Sequence, residues 1–358
     1  MNEIKKANAR EQDHYYPLIQ SNLQQLPDYI RNYFLEAHLA ITTEYQYLTE
    51  FNRFFTWLRD NQISDASNNK SISLDTLANL KTMDVNLYID YLQHNTNEQG
   101  KHDTATSINR TLTALRSLFK YLTITSENNN GKPYFDRNVM LKIKLLKDSE
   151  TLNSRARRLE RQMFTGDRKH QLLDFIANEY PKICSPRAFG SYKINRERDL
   201  ALVAILFGTG ARRSEIANLD IDDLQLNEET VRLLRKGGMW DIVPFSKWIL
   251  PYLKDYLAIR KQHYHVDKQI KALFVANNHG KTRRITAQQI NNIVKKYSTA
   301  FGRPSTAHKL RHTTASELFE SEKDIVLVAQ QLGQSGTSAT TLYTHVDQKK
   351  QRQAMDKI

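Results

Sequence analysis

Leu48, Phe51, Phe55 and Leu58 recur at spacings of three and four, a rhythm that predicts an amphipathic helix with one buried face. The same rhythm returns in DTLANLKTMDVNLYIDYLQ, where Val85, Tyr88, Ile89 and Leu92 carry it, and in TATSINRTLTALRSLFKYLT, through Ile108, Leu112, Leu115, Phe119 and Leu122. The first part of the chain therefore reads as a helical bundle. After Thr125 the pattern stops in the turn-rich SENNNGKPY, and KIKLLKDSETLNSRARRLERQ brings a dense run of cations before periodicity resumes at LLDFI. We expect a domain over 1–150 that includes an N-terminal extension, a basic linker over 151–164, and a second domain over 165–358.

In the second part, RERDLALVAILFGTGARRSEIANL opens as a strongly apolar helix. It is expected to break at Gly208 and Gly210 and to restart at Arg212 to Glu215, with Ile216 and Leu219 as its apolar positions. TVRLLRKGGMWDIVPF reads as a β-hairpin, because β-branched and apolar residues flank a Gly237-Gly238 turn, with Lys236 at the tip. The predicted fold class is mainly α with a small β-sheet or hairpin: a helical domain followed by a mixed α/β domain. Further on, HKLRHTTASELF places His308, Arg311 and His312 on one face of a helix start, with Ala315, Leu318 and Phe319 continuing at apolar spacing behind them. Such a face suits an anion, and equally a solvated surface.

Composition narrows the partner. Lys and Arg number 52 against 39 Asp and Glu, a formal net charge of +13, which suits nucleic acid or an acidic membrane surface. No apolar run is long enough to span a bilayer, and MNEIKKANAREQDHYY lacks the apolar core of a secretory signal, so a cytoplasmic protein with no membrane partner is expected. Cys184 stands alone, which excludes an internal disulfide, and without an HExxH pattern a metal site is not expected. No P-loop or Rossmann glycine pattern supports a nucleotide cofactor. Nucleic acid leads. In the third helix a second stripe of Asn109, Thr113, Arg116 and Lys120 mixes amide, hydroxyl and cationic groups, a set that fits a DNA groove and its phosphates or a plain solvated face.

Taken in order, TGARRSE, RKGG, HKLRHT and LGQSGTSATTLYTHV resemble the catalytic domain of the tyrosine recombinase, or phage integrase, family across residues 200 to 347. That family's signature is an Arg with Glu three residues on, a hairpin Lys, HxxR, a His or Trp, and a nucleophilic Tyr. The helices between about residue 40 and residue 122 resemble its core-binding, DNA-binding domain, and the length and LYTHV ending are similar to its Xer branch, of the single-recombinase type.

The resemblance implies that Arg212 and Arg311 clamp a phosphate, and that Tyr343 attacks it to form a 3′-phosphotyrosyl bond. It further implies that His308 assists the proton transfer from Tyr343, that Lys236 protonates the departing 5′ oxygen, and that neither metal nor ATP is consumed. Each role suits its side chain: a guanidinium is a permanent cation with a planar fork matched to phosphate, and a phenol with a pKa near 10 needs help to become a nucleophile. Glu215 is expected to support Arg212. Gln334 stands where the family has His or Trp, so it can donate a hydrogen bond but cannot carry a proton. The resemblance also implies a double-stranded recombination site as partner, a homotetramer on two such sites linked by tails such as VDQKKQRQAMDKI, and resolution of chromosome dimers, with an accessory DNA translocase left open. Two alternatives stand: an integrase of a phage or mobile element, and a DNA-binding relative weakened in catalysis through Gln334.

Overall fold

The structure, a computed structural model, describes residues 15–96, 100, 102–147, 154, 158–235, 238–278, 280–334 and 336. The chain forms two compact units, Met1–Ser149 and Glu150–Ile358. Among the described residues no helix is long and apolar enough to cross a membrane.

In the first unit a helical stretch over 15–23 precedes α1 (Asp28–Ala37), α2 (Ile41–Asp60), the short α3 (Leu74–Asn79), α4 (Thr82–His94) and α5 (Ala105–Lys120). Every position of the three periodic stripes is buried, from Leu48, Phe51, Phe55 and Leu58 in α2 to Ile108, Leu112, Leu115 and Phe119 in α5. Each such side chain contributes about 1.5–3 kcal/mol of transfer free energy, which is why the stripes, rather than helix propensity, hold the bundle together. Phe54, Trp57 and Tyr88 form the aromatic centre, with Tyr88 about 5 Å by ring centroid from both. The carboxylate of Glu50, also buried, accepts from the Thr111 hydroxyl at 2.8 Å and so ties α2 to α5.

One expected helix proves to be two. Leu80 and Lys81 adopt extended backbone between α3 and α4, and Asp84 restarts the helix by accepting the Lys81 N–H at 2.7 Å. The bend sinks Leu80 into the core, 1% exposed, which a continuous helix would not require.

The second unit begins with α6 (Arg168–Asp174), which passes through a π turn (Phe175–Glu179) into Tyr180–Ile183. There follow α7 (Pro186–Thr209), α8 (Arg213–Asn218), β1 (Leu224–Gln225), β2 (Thr230–Leu234), β3 (Trp240–Pro244), α9 (Leu250–His263), β4 (Val275–Asn278), β5 (Lys281–Arg284), α10 (Ala287–Ala300), α11 (Ala307–Glu322) and α12 (Ile325–Leu332). β1, β2 and β3 make an antiparallel sheet in that order, and β4 pairs with β5 in a separate antiparallel ribbon. The predicted hairpin is β2–β3, with Val231 opposite Val243 and Leu234 opposite Trp240.

α7 is the central helix: from Arg198 to Thr209 every residue is buried. The expected break at Gly208 does not occur. The helix runs through it, and glycine is needed there because a Cβ would lie 2.6 Å from Cγ2 of Ile249. The helix ends at Gly210, whose φ of +66° is a left-handed conformation that suits glycine. Thr209 then turns the chain, accepting the Ala211 N–H on its hydroxyl at 3.1 Å.

Candidate active site

The turn after α7 brings Arg212 to the N-cap of α8 in extended backbone. Glu215, one turn on and 2% exposed, accepts the Arg212 backbone N–H at 2.8 Å with one oxygen and the Arg212 guanidinium at 2.8 Å with the other. A single carboxylate thus caps the helix and fixes the side chain at its start. Arg212 itself stays half-buried, open enough to meet a ligand.

Arg311 reaches the same place from α11. The face that carries it suited an anion or a solvated surface, and Arg311 is 3% exposed, which leaves it out of bulk solvent. Its Nη1 donates to the Gly210 carbonyl at 2.9 Å and its Nη2 to the Leu332 carbonyl at 2.8 Å. The left-handed turn at Gly210 therefore has a second effect: it aims a carbonyl at this guanidinium.

The other side of the site is the C-terminal end of α12. The Gly333 N–H bonds the Gln330 carbonyl and the Gln334 N–H bonds the Ala329 carbonyl, both at 2.9 Å, with Gly333 at φ +58°. This Schellman turn leaves the carbonyls of residues 331 to 333 without helical partners. Arginines take them: Arg235 donates to Gln331 at 2.9 Å and to Leu332 at 3.4 Å, Arg311 to Leu332, and Arg212 to Gly333 at a long 3.5 Å. Three cations at the negative end of a helix are also favoured by its dipole. The result is a cluster of three guanidiniums, each held by backbone carbonyls and two of them also by Glu215.

Arg235 was not singled out in the sequence. It is 6% exposed and bridges Glu215 at 3.1 Å and Asp241 at 3.1 Å in addition to the α12 carbonyls. A signal did exist. Val231 and Leu233 are the inward positions of β2, and alternation carries residue 235 to the same face, so a cation there had to find a buried partner.

His308 and His312 lie on the first turns of α11 with ring centroids 4.5 Å apart, edge to face. The His308 ring keeps an exposed edge, yet partial burial first, and then the charges of Arg311, Arg212 and Arg213, hold its pKa below the ordinary imidazole value. At neutral pH His308 is neutral and able to accept a proton. Gln334 follows the Schellman turn directly, and its buried Oε1 has no hydrogen-bond partner among the described residues. Lys236 and Tyr343, with the tail beyond, lie outside the described residues. Among the described residues no three His, Cys, Asp or Glu side chains are grouped to hold a metal ion.

The polar stripe of α5 divides in two. Asn109 accepts the Leu146 N–H and donates to the Leu146 carbonyl, each at 2.8 Å, and Arg116 donates to the Ile143 carbonyl. These two side chains fasten the segment that leaves the first unit. Thr113 and Lys120 are exposed, the former donating to its own helix at the Asn109 carbonyl, 2.7 Å away.

Comparisons with known proteins bear on the family and the fold. The family model described as the phage integrase family matches residues 162–350. Tyrosine recombinase XerS of Streptococcus thermophilus (strain CNRZ 1066) is 42% identical over 340 residues, covering 93% of this chain and 96% of that protein. XerS of Streptococcus uberis (strain ATCC BAA-854 / 0140J) is 43% identical with the same coverage. Among solved structures, the XerH site-specific recombinase bound to palindromic difH substrate, in a post-cleavage complex, superposes with a TM-score of 0.64 at 21% identity, covering 88% of this chain and 78% of that one. A lambda integrase dimer bound to a COC′ core site gives 0.55 at 13% identity, with coverage of 92% and 81%. At those identities the superpositions speak to the fold.

Proposed function

The chain belongs to the phage integrase family, and from that membership and the geometry of its arginine cluster we propose that it is a site-specific recombinase that cuts and rejoins DNA through Tyr343. The observation that carries the reading is the pairing of a buried Arg311 with an Arg212 oriented by Glu215. Attack on a phosphodiester concentrates negative charge on the nonbridging oxygens, and donors already fixed in place stabilise that charge without reorganising.

The phenolic oxygen of Tyr343 attacks phosphorus, its proton passes to neutral His308, and the bond from phosphorus to the 5′ oxygen breaks as Lys236 supplies a proton to that oxygen. The products are a 3′-phosphotyrosyl link and a free 5′-hydroxyl. Because the link keeps the energy of the original ester, a 5′-hydroxyl from another strand reverses the step, and neither ATP nor a metal ion enters the balance. Gln334 donates a hydrogen bond to a nonbridging oxygen in place of the family's His or Trp.

The biological task that fits best is resolution of chromosome dimers at a dif-like site, in the cytoplasm, by a homotetramer on two sites. It is supported by the XerS relatives, which match this chain over nearly their whole length. The test uses the full chain with nicked fragments of its host's chromosome. DNA that stays attached to protein under denaturing conditions is recovered and sequenced. One shared site, a 3′ attachment and a kinase-labelled free 5′ end are expected; a mobility shift with no attached DNA would make the protein a binding relative.

A further inference from the structure

Arg235 occupies a junction that the mechanism above does not use. It immediately precedes Lys236 in the chain, and it is held on three sides. Its Nε meets Asp241 across the hairpin at 3.1 Å, its Nη1 meets Glu215 at 3.1 Å, and its Nη2 meets the Gln331 carbonyl at 2.9 Å. The Arg235 N–H also donates to the Met239 carbonyl at 2.8 Å, and its carbonyl accepts from Gly238 at 3.1 Å, so both main-chain groups of this residue close the hairpin end. The space for the guanidinium is reserved: a Cβ on Gly333 would lie 2.4 Å from Arg235 Nε.

We propose that Arg235 is a positioning residue for the general acid, fixing the base of the hairpin end that carries Lys236 to the same carboxylate that orients Arg212. This rests on the reading of Lys236 as the proton donor. Glu215 is the shared point: one of its oxygens takes the Arg212 guanidinium, and the other takes Arg235 and the Arg212 backbone N–H. A side chain that follows directly on an anchored residue starts from a fixed backbone position, and a misplacement of about 1 Å costs on the order of a hundredfold in rate. A plain structural role for a buried arginine predicts loss of folding. The positioning role predicts, beyond that, a defect confined to leaving-group protonation.

The distinction can be read chemically. Replacing the bridging 5′ oxygen of the scissile phosphate by sulfur makes the leaving group a thiolate, whose conjugate acid has a pKa of about 8.5 when it resembles a cysteine thiol. Such a group departs without a proton from Lys236. Single-turnover cleavage of the recovered site is measured with oxygen and with sulfur at that position for the wild-type chain, Lys236→Ala, Arg235→Ala and the milder Arg235→Lys and Asp241→Asn, alongside thermal unfolding.

The expected result is a loss of at least about tenfold for Arg235→Ala on the oxygen substrate, with the sulfur substrate cut within about threefold of the wild-type rate. Rescue of Lys236→Ala without rescue of the Arg235 variants overturns the proposal, as does an Arg235→Ala chain that cuts the oxygen substrate normally. Failure to rescue Lys236→Ala instead removes the proton-donor reading beneath it. If Arg235→Ala does not fold, Arg235→Lys and Asp241→Asn decide by the same comparison.

Discussion

The guanidinium of Arg311 donates to the backbone carbonyl of Leu332 at 2.8 Å, from a side chain only 3% exposed. The side chain proposed to clamp the phosphate is thereby fastened to the backbone at the end of a helix. Lysine cannot reproduce the arrangement, because one ammonium cannot span the Gly210 and Leu332 carbonyls and still present a fork. We expect Arg311→Lys to lower single-turnover cleavage about a hundredfold and to cost about 1–3 kcal/mol in denaturant unfolding, from carbonyls left unsatisfied. Cleavage within threefold of wild type would contradict it.

Glu215 joins two guanidiniums in the interior, so it should matter to stability as well as to cleavage. Glu215→Gln keeps the volume and removes the charge. Breaking one side of a buried ion pair costs on the order of 3 kcal/mol, and the urea midpoint should fall accordingly, together with cleavage. An unchanged midpoint would mean that the backbone carbonyls and Asp241 hold the arginines without Glu215.

The depressed pKa of His308 gives a pH prediction. In the mechanism proposed the neutral ring is the working form, so cleavage should decline only as acid protonates it, with the limb below the ordinary value of about 6.5. Arg213→Ala removes one of the cations responsible and should move that limb upward. Stability follows the same sign: the unfolded chain binds the proton more readily, so this contribution is lost as pH falls from the unfolded value toward the folded one. A limb that ignores Arg213 would point to another titrating group.

Gln334 has a buried amide oxygen with no partner among the described residues, an arrangement that costs folding energy. Gln334→Met should leave the melting temperature unchanged or raise it, while reducing cleavage. Gln334→His, which restores the family's residue type, should raise the yield of covalent adduct. No gain from His would show that the amide is sufficient.

Much of this was legible in the sequence. Helical stripes such as Leu48–Phe51–Phe55–Leu58 announce themselves because burial repeats every turn, and the order of Arg212, Arg311 and their neighbours carries the family. What escaped was set by distant contacts. Gly208 reads as a helix breaker, and only the approach of Ile249 explains it. Asn109 and Arg116 read as a DNA-facing stripe with Thr113 and Lys120, yet their side chains reach across to Leu146 and Ile143, a pairing no local pattern encodes. Arg235 was not singled out, although the alternation of β2 points it inward, where partners such as the Gln331 carbonyl lie far along the chain.

That division of the α5 stripe is testable. Asn109→Ala should cost about 1–3 kcal/mol of stability, since it frees both backbone groups of Leu146. Lys120→Ala should leave stability alone and reduce the salt slope of DNA binding by about one. Equal stability losses from both would reject the division.

The central claim is that the phenol of Tyr343 becomes joined to DNA. Adduct formed on the nicked site should be digested with nuclease and protease and the nucleotide-bearing peptide sequenced by mass spectrometry. The account predicts a phosphonucleotide on Tyr343 and no adduct from Tyr343→Phe; a nucleotide found on any other residue, or undiminished adduct from the Phe variant, would contradict it.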